Sequence, residues 1–148
     1  METDGTENSG PAEDGSDAAH DLEVMAEAEA WALVGTRELG RLAVCISGLP
    51  EIFPVNYRTE GTTVVVRTAP GLKLAGAVLG RGVAFEVDQI DEAAHIGWSV
   101  VIHGAAAEVQ GTEALLAADD LGVEPWVSSP KYRYLRITPD RISGRRIV

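Results

Sequence analysis

Residues 52–58 read Ile52-Phe53-Pro54-Val55-Asn56-Tyr57-Arg58. After a Glu60-Gly61 turn, residues 62–68 read Thr62-Thr63-Val64-Val65-Val66-Arg67-Thr68, and Ala69-Pro70-Gly71-Leu72-Lys73 then opens a helical stretch. Runs rich in β-branched and aromatic residues, joined through a glycine turn, read as two paired strands. Their exit carries chemistry. Arg67 and Thr68 end the second strand, Pro70-Gly71 turns the chain, and Lys73 follows one helical turn later. Cationic and hydroxyl donors converging at a helix start, with the free N–H groups of its first turn, can hold a phosphate dianion. The same residue types are common on solvated faces, and it is the strand-to-helix placement that favours the anchor.

Upstream, residues 41–47 alternate Leu42, Val44 and Ile46 against Ala43 and Cys45, and Gly48-Leu49-Pro50-Glu51 turns them into the central strand. Before that, residues 21–38 place Leu22, Met25, Ala28, Trp31 and Leu33 at helical spacing, with Asp21 as N-cap and Gly40 beyond the end. This helix is expected to cover one end of a sheet, with Trp31 in the core. Downstream come a short helix over residues 71–79, a Gly80-Arg81-Gly82 turn, and a strand over 83–90. Asp91-Glu92-Ala93-Ala94 then crosses to a long strand over 97–109. A polar helix over 112–120, a loop through Pro125 and Pro130, and a final strand pair (132–138 and 141–148, around Pro139-Asp140) complete the chain. About seven short strands and three brief helices, without internal repeats, predict a mainly β fold. A closed or split antiparallel barrel is favoured over a doubly wound parallel sheet.

The chain has 148 residues, 45% of them hydrophobic, which suffices for one domain. Its net charge of −11 is unevenly distributed, since 10 of the 23 acidic residues and none of the 12 basic ones lie in the first 30 positions. Residues 1–20 read as a disordered acidic tail and residues 21–148 as the folded domain, nearly neutral over residues 31–148, where 13 acidic side chains stand against 12 basic ones. No basic domain for nucleic-acid binding is present. A single cysteine, Cys45, excludes an intramolecular disulfide and a thiolate cluster and fits a reducing cytoplasm. No apolar run approaches the ~18–20 residues of a membrane span, and the acidic start is unlike a signal peptide.

Four motifs stand in order: Pro54-Val55-Asn56-Tyr57; Val64-Val65-Val66-Arg67-Thr68 followed by Lys73; Gly97-Trp98-Ser99-Val100-Val101-Ile102-His103-Gly104; and Ile142-Ser143-Gly144-Arg145-Arg146-Ile147. With these, residues 22–148 resemble the pyridoxamine 5′-phosphate oxidase-like flavin-binding split-barrel family in its short actinobacterial-type form. The resemblance implies a homodimer holding two FMN molecules in clefts between subunits. Arg67, Thr68 and Lys73, at the end of the Val66 strand, would hold the phosphate. Pro54, Val55, Asn56 and Tyr57 would lie along the isoalloxazine ring, with Asn56 on its polar edge. Trp98 and Ser99 would complete the ring or ribityl contacts, and Trp126 would reach in from the other subunit. The closing segment lacks the Trp-rich stretch and the arginine-histidine pair with which the vitamin B6 oxidase holds its substrate, which argues against that activity here.

Several of these residues have plainer readings. An edge or bulge explains Pro54 and Asn56, and Trp98 among apolar neighbours suits a core. His95 and His103 lack metal-ligand spacing, so no metal site is expected. Cys45 reads as a small core residue. Asp91-Glu92 and Asp119-Asp120 read as solvated turns, while Glu86 and Asp88 share one strand face. The residues name no catalytic acid or base. Two functions therefore stand: an FMN-dependent oxidoreductase moving a hydride between the flavin and a small organic molecule, with a deazaflavin-dependent reductase as its variant, or a flavin-binding module that stores, carries or senses the cofactor.

Overall fold

The computed structural model describes residues 20–68, 82–126 and 133–148. In chain order the elements are β1 (Leu22–Val24), α1 (Glu27–Val34), β2 (Leu39–Ile46), β3 (Leu49–Glu60), β4 (Thr63–Thr68), β5 (Gly82–Asp91), β6 (Ile96–Glu108), α2 (Thr112–Asp120) and β7 (Arg133–Ile147). Neighbouring strands run β7–β4–β3–β2–β5–β6, and β6 pairs back with β7, so six strands close into the split antiparallel barrel expected from the sequence. Closure depends on the length of β7. One of its edges follows β6, while the other pairs with β4 through residues 133–137 and with β1 through residues 145–147.

Alternation along each strand sends one set of side chains inward. Leu42, Tyr57, Val66, Phe85, Ile102 and Ile137, one from each barrel strand, belong to a single core. Burying each such side chain stabilises the fold by about 1.5–3 kcal/mol. Helix α1 closes one end of the barrel through Ala30 and Val34, and the Tyr57 hydroxyl donates to the Val34 carbonyl. The Tyr57 ring stands edge-on to Phe85 with centroids 5.0 Å apart. Gly40 makes room there, because a Cβ at that position would lie 2.4 Å from the Phe85 ring. Helix α2 covers part of the outside, where Val65, Val109, Ala118, Val123 and Tyr134 form a second, smaller core.

Tertiary pairing overrides several local expectations. Residues 22–24 are a strand on β7, not the first turn of a helix, because Asp21 and Val148 exchange backbone hydrogen bonds. The helix starts at Glu27 without a side-chain cap from Ala26, so Asp21 is not the N-cap, and Gly40 lies inside β2. The β2–β3 turn is Ser47-Gly48, both with positive φ (52° and 81°), which leaves Leu49, Pro50 and Glu51 in β3. Two residues with φ above zero at a two-residue hairpin match the twist of the strands they join. The final strand pair is the single strand β7. Asp140 is the extra residue at a bulge, since His103 faces Arg141 while Gly104 faces Pro139. Cys45 is exposed on the outer face rather than packed in the core. Trp31 is half-buried and packs against the main core. The acidic tail, the helix over 71–79 and Lys73 lie outside the described residues.

Candidate functional site

The alternation that buries Val55 and Tyr57 puts Asn56 on the outside of β3, where it stands opposite Leu39 on β2 and Arg67 on β4. Arg67 in turn faces Tyr134 on β7. On the other side of β2, Arg41 faces Glu86, so Glu86 and Asp88 share this outer face. Asp88 faces Ser99, and Ser99 faces Arg145. A band therefore crosses the outer surface from Arg67 through Asn56, Leu39 and Asp88 to Ser99. It spans four inter-strand steps of about 4.8 Å each, on the order of 19 Å.

The stretch after α2 lies over one end of this band. The Gly122 carbonyl accepts from Arg58 Nε and the Val123 carbonyl from Arg67 Nη1, each at 3.4 Å. The Trp126 backbone N–H donates to Asn56 Oδ1 at 3.0 Å. That bond fixes which way the Asn56 amide points, since reversing it would set two donors against each other. Its other end, Nδ2, is buried and has no hydrogen-bond partner among the described residues. An unmet donor of this kind costs about 1–3 kcal/mol.

Beside Asn56 lies a cavity of about 340 Å³, lined by Thr36, Arg37, Glu38, Leu39, Arg41, Asp88 and Trp126. Arg41 Nη1 bridges Glu86 at 3.1 Å and Asp88 at 3.3 Å, and Arg58 pairs with Glu38 at 3.0 Å. Burial pushes the Glu86 carboxyl above its ordinary value, the neighbouring Asp88 charge adds to the rise, and Arg41 opposes it.

The residues marked out in the sequence thus separate by face. Pro54, Asn56, Arg67 and Ser99 share the outer surface, and Trp126 joins them from its own chain. Val55, Tyr57 and Val66 belong to the core. Thr68 is buried, with its hydroxyl 3.4 Å from the Arg133 carbonyl. Trp98 packs on the core and lines a different cavity, of about 290 Å³, with Arg146 and Ile147. His103 is an ordinary strand residue whose Nδ1 lies 3.2 Å from Arg141 Nη2. Among the described residues no group of His, Cys, Asp or Glu is arranged to hold a metal, and no helix is long and apolar enough to cross a membrane. Leu39, Arg41 and Asp88 carry no sequence motif. Only cross-strand register brings them to Asn56.

Known proteins are similar to this chain in sequence and in fold. An uncharacterised protein of Mycobacterium tuberculosis is 34% identical over 125 residues, 81% of this chain and 82% of its own length. The solved structure of the FAD-binding protein of Mycobacterium smegmatis superposes with a TM-score of 0.73 at 34% identity, covering 84% of this chain and 98% of that one. A conserved protein of unknown function from Corynebacterium diphtheriae gives 0.74 at 34% identity, covering 86% and 98%. Residues 26–146 match the pyridoxamine 5′-phosphate oxidase family, and the chain belongs to that family.

Proposed function

We propose that this protein is a flavin-binding oxidoreductase that takes FMN along the outer band and acts as a homodimer on a small organic molecule in the cytoplasm. The buried, unpartnered Nδ2 of Asn56 carries the reading. It is a fixed donor lacking an acceptor, one strand from Arg67, and a flavin offers acceptors on its ribityl chain and on the polar edge of its ring. The donor set fits the group. Arg67 would meet the phosphate, with its guanidinium exchanging the long bond to Val123 for a charge-assisted one. Asn56 would orient the cofactor, Leu39 would give it an apolar floor, and Ser99 would offer a hydroxyl at the far end of the band.

When bound, the flavin supplies the hydride chemistry, and the chain contributes placement and exclusion of water. The Mycobacterium smegmatis relative is an FAD-binding protein, and FAD contains the same ring, ribityl and phosphate portion that the band would hold. A partner subunit would cover the outer face of β2, β5 and β6. The exposed thiol of Cys45 suits a reducing compartment.

Titration of the purified protein with FMN and with riboflavin, read by flavin fluorescence and visible absorbance, tests the reading. FMN is expected to bind at least about tenfold more tightly, because a hydrogen bond to a charged group contributes about 1.5–3 kcal/mol. Equal affinities, or no binding of either, would overturn it. Reduction of the bound flavin by a nicotinamide nucleotide, followed by reoxidation with an added organic acceptor, separates turnover from mere carriage.

A further inference from the structure

The charges around the cavity beside Asn56 are not equivalent. Glu38 is held by Arg58, and Arg41 is held by Glu86 and Asp88. The Arg37 side chain makes no hydrogen bond or ion pair among the described residues, and it lines the same cavity as Leu39 and Trp126. One uncommitted guanidinium thus stands beside an aliphatic and an aromatic wall. We propose that this cavity is a subsite for a small, flat organic carboxylate, its carboxylate on Arg37 and its body against Trp126. As the substrate side of the flavin site, it rests in that respect on the function proposed above.

The guanidinium presents a planar fork that matches a carboxylate. A phosphate dianion would bring a second negative charge close to Glu38 and Asp88, which line the same space. A single carboxylate answers the one cation that, among the described residues lining the cavity, has no partner. The Trp126 side chain accounts for the preference for an arene body, since an indole face covers a flat ring.

Benzoate is the probe, with benzamide as its uncharged isostere. The readout is the Trp126 indole N–H resonance of the ¹⁵N-labelled full-length protein, distinguished from those of Trp31 and Trp98 by Trp126→Phe. Benzoate is expected to shift that resonance saturably and to bind at least tenfold more tightly than benzamide. Arg37→Gln is expected to reduce benzoate to the benzamide level, with FMN affinity unchanged within twofold and the Trp31 and Trp98 signals in place. Arg67→Ala is expected to do the converse, weakening FMN and sparing benzoate. The proposal is overturned if benzoate and benzamide bind equally, if no saturable shift occurs, or if benzoate binding survives Arg37→Gln or is lost in Arg67→Ala. Loss of FMN binding alone, with benzoate still held through Arg37, would overturn the flavin reading and leave the carboxylate subsite standing.

Discussion

A single step along β3 separates a structural side chain from a candidate ligand-binding one. Asn56 faces outward with an unmet donor, while Tyr57 is 1% exposed and donates its hydroxyl to Val34. The motif around them is visible in the sequence as four consecutive residues, but the strand period of two allows only alternate members to reach one ligand. Tyr57 has a consequence for stability. Burial pushes its hydroxyl pKa well above the ordinary value, with Arg37 and Arg58 opposing. Below the unfolded value of about 10 both states keep the proton and the contribution is whole; as pH rises beyond that, the unfolded chain ionises first and stability falls. Tyr57→Phe is expected to cost about 1–2 kcal/mol at pH 7, through the lost donor to Val34, and to make the decline above pH 10 shallower. Urea denaturation at pH 7 and pH 10.5 measures both. A variant as stable as the parent, with the same decline, would show that the hydroxyl is not held in the core.

At the scale of elements, the strands of the barrel and α2 were legible because their alternation and their turn glycines agree with the final pairing. The first helix was legible only in part. Leu22 and Met25 fit a helical spacing, yet β7 offers an edge to residues 22–24, and the ladder wins. β7 itself reads as two strands because Pro139-Asp140 is a turn signal. Here the chain continues through a bulge, and Asp140 is the residue left over. Gly104 permits this, since a Cβ there would lie 2.2 Å from the Thr138 carbonyl oxygen, a backbone atom that cannot swing away. Gly104→Ala is therefore expected to lose roughly 2–4 kcal/mol as the bulge shifts. For a domain of this size that is a fall in Tm of about 5–15 °C. Scanning calorimetry would decide, and a Tm within 2 °C of the parent would show that the bulge accommodates a side chain. The candidate site was less legible than the fold. Asn56, Arg67 and Ser99 sit in readable motifs and Trp126 in a loop outside them, but the band joining them to Leu39 and Asp88 is set by the register of five strands, which no spacing within one strand records.

Over the whole molecule, the two helices described guard different surfaces and leave a third open. α1 closes a barrel end and α2 covers β4 and β7, while the outer face of β2, β5 and β6 shows Ala43, Ala84, Gly82 and Ala105, side chains too small to keep another sheet at a distance. At its margin Leu49 and Ile52 are 64% and 68% exposed, and among the described residues the β3 edge over 49–55 has no strand beside it. Exposed apolar side chains beside a face of such small residues would suit an association site. A self-complementary face about a two-fold axis is the simplest way to cover it. The acidic residues Glu86 and Asp88 are already paired with Arg41 in their own chain, so the contact would rest on apolar burial, not on matching charged edges. The protein is expected to be a homodimer at micromolar concentration by light scattering. Ile52→Glu, which places an unpaired charge on the covered face, is expected to yield a folded monomer with unchanged circular dichroism and weaker flavin binding, because the partner no longer walls the band. A parent protein that is monomeric while binding flavin at full occupancy would refute the shared site, and an Ile52→Glu variant that stays dimeric would move the interface to another face.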